Sequence, residues 1–98
     1  MTGIQKIIQS PLFTRQKKRL RKKQNSDLDD AVRRIAEKPE TGTLKLGDLS
    51  GVRVFKFKSL NTPFLLAYEV TDMEDTLYLY SVGTHENFYQ KLKKYIHR

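Results

Sequence analysis

Apolar positions recur along this chain at two different periods, helical in the first half and strand-like in the second. Residues 3–8 form a short β-like run that ends at Ser10-Pro11, where serine can cap a helix and proline suits its first turn. A strand followed at once by a helix is expected. From residue 12 to 24 apolar side chains are sparse (Leu12, Phe13, Leu20), which predicts a helix with a weak buried stripe. Asn25-Ser26-Asp27 reads as a break with capping chemistry, Ser26 and Asp29 standing as a short-armed capping box. Beyond it Leu28, Ala31, Val32, Ile35 and Ala36 recur at i, i+3, i+4, i+7 and i+8, one apolar face of a second helix. Asp29 and Asp30 are expected near its start, and Pro39 stops it.

After Glu40-Thr41-Gly42 the period shortens to two, in segments near residues 52–58, 64–70 and 76–82. These predict three strands. Turn residues at 61–63 and 72–75 favour antiparallel hairpins over crossovers. Phe88, Leu92, Tyr95 and Ile96 then mark a short C-terminal amphipathic helix opening near Thr84.

Ninety-eight residues set a soft limit of one domain, residues 1–98, and rule out a two-domain enzyme. A content of 38% hydrophobic and 10% aromatic residues is too apolar for a disordered chain of this charge. Nineteen Lys and Arg against eleven Asp and Glu give +8, which points to a polyanionic partner: nucleic acid, an anionic membrane or an acidic protein. Without cysteine there is no disulfide, no thiolate nucleophile and no cysteine-ligated zinc, and two histidines cannot complete a metal site. The apolar runs are short and the N-terminus lacks a signal-peptide pattern, so a cytoplasmic protein without membrane attachment is expected.

Three constellations could carry chemistry. Seven of the nine residues from 15 to 23 are cationic (Arg15, Lys17, Lys18, Arg19, Arg21, Lys22, Lys23), either a phosphate-tracking surface or a solvated helix face. In the strand at 52–58, alternation sends Val54, Lys56 and Lys58 to one face and Arg53, Phe55 and Phe57 to the other. The two phenylalanines are then core, while the two lysines could hold successive phosphates or merely line a half-exposed strand. The third is the stretch 81–89, expected to turn through Gly83 into a helix capped by Thr84, with His85 in its first turn. There the dipole would favour an anion and a neutral imidazole. A lone histidine is also commonly just a surface residue, and Tyr89 could pack or stack on a base. His97 is expected in solvent. The serine-triad motif, a Walker loop and a dinucleotide fingerprint are absent from the sequence, and the acid pairs Asp29-Asp30 and Glu74-Asp75 are explained by a helix start and a solvated turn.

The order of elements, with Leu46-Gly47-Asp48-Leu49-Ser50-Gly51-Val52-Arg53-Val54-Phe55-Lys56-Phe57-Lys58, Leu66-Ala67-Tyr68-Glu69-Val70 and Gly83-Thr84-His85-Glu86-Asn87-Phe88-Tyr89, resembles the RelE/ParE superfamily of bacterial toxins over nearly the whole chain. The resemblance implies an α+β fold: two N-terminal helices packed on a twisted, mainly antiparallel four-stranded sheet, with a short C-terminal helix. It also implies that the other sheet face is a concave basic groove. In RelE-type members that groove binds mRNA on the ribosome and drives attack of a 2′-hydroxyl on the adjacent phosphate, without metal or cofactor. ParE-type members inhibit DNA gyrase instead.

Carried over residue by residue, Lys56 and Lys58 match groove positions that stabilise phosphate charge. His85 matches a position that is arginine in RelE-type and histidine in YafQ-like members, and Tyr89 lies near an aromatic position. Leu65 departs from the pattern, since RelE-type toxins carry a groove arginine there. The expected function is a type II toxin that cleaves ribosome-bound mRNA and inhibits translation, neutralised by an acidic antitoxin. In it His85, Lys56, Lys58 and Tyr89 are catalytic and the 15–23 cations dock on rRNA. The alternatives are a non-enzymatic gyrase inhibitor and a plain basic RNA-binding module, which leaves His85 without a role.

Overall fold

The structure, a computed structural model, describes residues 3–71 and 75–96. Ser10 and Pro11 act as their residue types suggest: Ser10 accepts the Phe13 N–H at 2.9 Å and Pro11 opens the helix α1 (Pro11–Lys18) directly after the strand β1 (Lys6–Gln9). The break that follows is not at 25–27. Helix α2 runs Lys22–Glu37, and the turn between the helices is Arg19-Leu20-Arg21. Asn25 lies inside α2 and works backwards: its Nδ2 donates to the Lys17 and Leu20 carbonyls, both at 3.2 Å, and its Oδ1 accepts from Lys17 Nζ at 2.6 Å. It closes the end of α1 rather than the start of α2. The start of α2 is closed by Gln24, whose Oε1 accepts the Arg21 N–H at 2.8 Å. Lys22 and Lys23 then occupy the first turn against the helix dipole, partly offset by the Lys23–Asp27 ion pair at 3.1 Å. Asp29 and Asp30 fall mid-helix.

The strands β2 (Thr43–Leu44), β3 (Arg53–Ser59), β4 (Thr62–Val70) and β5 (Thr76–Gly83) join β1 in a five-stranded mixed sheet of order β1-β5-β4-β3-β2. The sheet is mainly antiparallel as expected, three of its four pairings being so, but the expected four strands become five and one pairing is parallel. β2 is two residues long, too short to show a period, and β1 pairs parallel with β5. Beyond the end of β1, side chains of α1 and its cap continue the edge of β5: Ser10 Oγ donates to the Tyr80 carbonyl at 2.7 Å, and Gln16 Oε1 accepts the Val82 N–H at 2.9 Å. The β3–β4 hairpin turns on Leu60-Asn61, both left-handed (φ 51° and 64°), so Pro63 falls inside β4 rather than in the turn. The turn expected at 72–75 and His97 lie largely or wholly outside the described residues.

Both sheet faces are covered. One face presents Phe55, Leu66, Tyr68, Leu77 and Leu79 to Phe13 of α1 and to Leu28, Ala31 and Ile35 of α2, which is the apolar stripe read from the sequence. On the other, Val52, Val54, Leu65 and Ala67 meet Leu49 and two residues of the helix α3 (Phe88–Ile96), Phe88 and Leu92. α3 therefore lies on the face expected to be an open groove and fills part of it. Among the described residues no helix is long and apolar enough to cross a membrane.

Candidate functional site

Strand parity places the lysines. Val54 is buried, Lys56 and Lys58 are exposed beyond it on the same face, and Phe55 turns to the opposite core. Lys56 pairs with Leu65, and Leu65 pairs with Gly83, so the three form one row across β3, β4 and β5. Neighbouring strands lie about 4.8 Å apart, which puts the Lys56 and Gly83 backbones roughly 10 Å from each other. β3 and β5 run in the same direction, so two residues further along, Lys58 and His85 share one end of the sheet.

The chain leaves β5 differently from the expected capped helix. Helix α3 begins at Phe88, three residues after His85, and the Phe88 N–H donates to the His85 carbonyl at 3.3 Å. The residue that makes the turn is Asn87, left-handed at φ 59°, and not Gly83. Thr84 is thus no cap, and His85 does not sit in the first helical turn, so the dipole argument for a bound anion does not apply to it. The turn instead leaves His85 exposed and sets its ring edge-on to Tyr89, with centroids 6.0 Å apart at 72°. Tyr89 is held in turn by Phe88, edge-to-face at 5.2 Å, whose ring is buried in the sheet-face core.

Sequence reasoning missed Lys45, whose Nζ stands over the Tyr89 ring at 5.2 Å. Its parity held the signal: Lys45 bonds to Val52 through its N–H at 2.8 Å, and so continues the row of Val54, Lys56 and Lys58. A line of cation, aromatic ring and imidazole results, Lys45–Tyr89–His85, on the sheet face that also carries the two strand lysines. Further along the face, Tyr80 donates to Glu69 Oε1 at 2.9 Å and its ring lies 5.2 Å from that of Tyr78. Leu65 is 2% exposed in the core beneath α3. A cation there would meet Phe88 and Leu92 instead of solvent.

The basic run does not form one helical face. Arg15, Lys17 and Lys18 end α1, Arg19 and Arg21 sit in the turn, and Lys22 and Lys23 open α2. Together they make a corner of the molecule, and Arg19 borders the same cleft as Thr84 and Glu86, the neighbours of His85. Lys17 is engaged with Asn25 and Asp29, and Lys23 with Asp27. The ParE-like toxins of type II bacterial toxin–antitoxin systems match residues 7–93 of the chain.

The chain belongs to this family. A search of curated proteins finds no match. The fold of this ParE-like toxin is that of RelE. A doubly substituted Escherichia coli RelE in the free state is 20% identical and aligns over 98% of this chain and 99% of its own, with a TM-score of 0.75. The RelE chain of the intact E. coli RelBE toxin–antitoxin complex is 19% identical over 87% and 99%, with a TM-score of 0.69. The Mycobacterium tuberculosis RelBE2 toxin–antitoxin complex contributes a match of 14% identity over 87% and 100%, with a TM-score of 0.71.

Proposed function

We propose that this ParE-like toxin is a ribosome-dependent mRNA endonuclease that arrests translation. The observation that carries the reading is that one sheet face carries an exposed imidazole, an aromatic ring held edge-on to it, and two exposed lysines two strands away on β3. Strand cleavage by a neighbouring hydroxyl needs no more than this. The 2′-oxygen loses its proton and attacks the adjacent phosphorus, the P–O5′ bond breaks, and the leaving 5′-oxygen takes up a proton. A 2′,3′-cyclic phosphate and a free 5′-hydroxyl result.

In this scheme His85 moves one of the two protons, which an imidazole can do near neutral pH. Lys56 and Lys58 stabilise the charge that builds on the phosphate oxygens, and Tyr89 offers its ring for base stacking, with Lys45 beside it. The 15–23 corner supplies rRNA contacts. Antitoxin chains accompany RelE in the solved complexes, and we extend that partnership here to a cognate acidic antitoxin suited to a toxin of charge +8. Pull-down from the native operon is expected to recover a small acidic protein that relieves growth arrest.

A second reading, inhibition of DNA gyrase without catalysis, is favoured by Leu65, which fills the core where RelE-type toxins carry a cation. The deciding experiment treats programmed ribosomes and, separately, gyrase with purified protein and its His85→Ala variant. The endonuclease reading expects mRNA cleavage lowered by about two to four orders of magnitude in the variant, and no effect of either protein on supercoiling. Inhibition of supercoiling by both proteins, without mRNA cleavage, establishes the second reading.

A further inference from the structure

A cleft of about 300 Å³ opens between the α1–α2 turn and the β5–α3 turn, around the end of the sheet from Lys56 and Lys58. That volume is at the small end of ligand pockets, enough for a single nucleotide unit rather than an extended chain. Its floor is apolar and partly aromatic, with Leu20, Phe64, Val82 and Phe88. Its polar groups are unusual in being mostly donors. Gln16 and Gln24 both line it, and each has its carboxamide oxygen committed to a backbone N–H, of Val82 and Arg21 respectively. With one lone pair of each oxygen taken, what each amide offers a ligand is chiefly its two N–H donors. Arg19 and Lys91 add two cations, and Glu86 is the single acid.

We infer that this cleft is a subsite for one guanine nucleotide of an RNA. A flat apolar ring system fits the floor, and two NH2 donors call for a base edge that presents two acceptors, as guanine does with N7 and O6. Glu86 complements the N1–H and N2–H2 donors on guanine's other edge, which adenine lacks. The phosphate falls to Arg19 and Lys91. The inference rests on the endonuclease reading for its choice of RNA, because Thr84 and Glu86 flank His85 and a nucleotide held here would lie next along the chain from the cleaved bond. It also gives Arg19 a role distinct from general docking.

The test needs neither ribosome nor catalysis. Guanosine 5′-monophosphate is titrated into the isotope-labelled 98-residue protein and followed by NMR, with adenosine 5′-monophosphate and inorganic phosphate as separate arms. The expected result is saturable shifts at the Gln16 and Gln24 side-chain amides and at Thr84, with binding at least five-fold weaker for the adenine nucleotide and weaker still for phosphate. Gln24→Glu is the informative variant. It keeps the oxygen that accepts the Arg21 N–H, and so the start of α2, but replaces the NH2 donor by an acceptor. It should weaken guanosine monophosphate binding about ten-fold or more with an unchanged thermal midpoint, and Lys91→Gln should weaken it several-fold. Equal binding of both nucleotides, shifts confined to the Lys56–Lys58 face, phosphate binding as tightly as the nucleotide, or an indifferent Gln24→Glu variant each overturns the inference. If ribosome-bound mRNA is cleaved and guanosine monophosphate does not bind the cleft, this subsite fails alone. If it binds and no mRNA is cleaved, the endonuclease reading fails alone.

Discussion

Tyr68 shows how much a single residue holds in so small a fold. It is fully buried in the central strand, yet its hydroxyl donates to the Pro39 carbonyl at 2.5 Å and accepts the Gly42 N–H at 2.9 Å, tying the segment after α2 onto the sheet. Burial pushes its phenol up from the ordinary tyrosine value. Gly42 is packed so closely that a Cβ there would lie 2.7 Å from the hydroxyl. Tyr68→Phe strands both backbone groups and should cost about 1–3 kcal/mol, read as a lower urea midpoint with an unchanged m-value. A midpoint equal to the wild type would show that water replaces the bonds at no cost. Tyr68 was legible in the sequence only as a strand residue, because its partners lie 26 and 29 positions away. His85 and Tyr89 were legible as separate candidates in the stretch 81–89. Their actual geometry was not, since it depends on the left-handed Asn87 rather than on the glycine that drew attention.

At the scale of elements, α3 and the α1–α2 corner decide what the molecule exposes. α3 is anchored on the sheet by Phe88 and Leu92, both almost fully buried, while its lysines face solvent. Leu92→Ala should cost about 2–5 kcal/mol if the loss is global. Hydrogen exchange is expected to show α3 amides opening before those of β4, and uniform acceleration throughout the protein would contradict separate anchoring. On α2, the Ser59 hydroxyl and then the Lys23 ammonium hold the Asp27 carboxyl below its ordinary value of 3.8. A lowered carboxylate stabilises the fold above its unfolded pKa and loses that contribution as pH falls through the folded one. Asp27→Asn should therefore narrow the gap from wild type in acid unfolding below about pH 4, while a gap that widens there would refute the assignment. Strands β3, β4 and β5 were readable from their period, as was the buried stripe of α2. The helix break was misread because Asn25-Ser26-Asp27 has the composition of a cap, whereas the Asn25 amide serves the preceding helix.

Across the whole molecule, the cationic corner at 15–23 and the His85–Tyr89–Lys45 rim occupy neighbouring regions, linked by the cleft that Arg19 and Thr84 share. Replacing Arg15, Lys18 and Lys22, which are exposed, by glutamine should reduce the salt dependence of ribosome association by a log–log slope of about 2–3, if each neutralises one phosphate. Cleavage at saturating toxin should persist, and unchanged affinity across salt concentrations would remove the docking role. The net charge of +8 is the composition's ground for expecting a polyanionic partner, but the meeting of corner and rim depends on tertiary packing that no local pattern encodes. The most direct measurement is primer extension on mRNA in programmed ribosomes treated with wild-type protein or with folded, ribosome-binding His85→Ala. The account predicts a new stop within the ribosome-bound codon for wild type, weakened at least 100-fold in the variant. An equally strong stop with both proteins, or no stop with wild type, would contradict it.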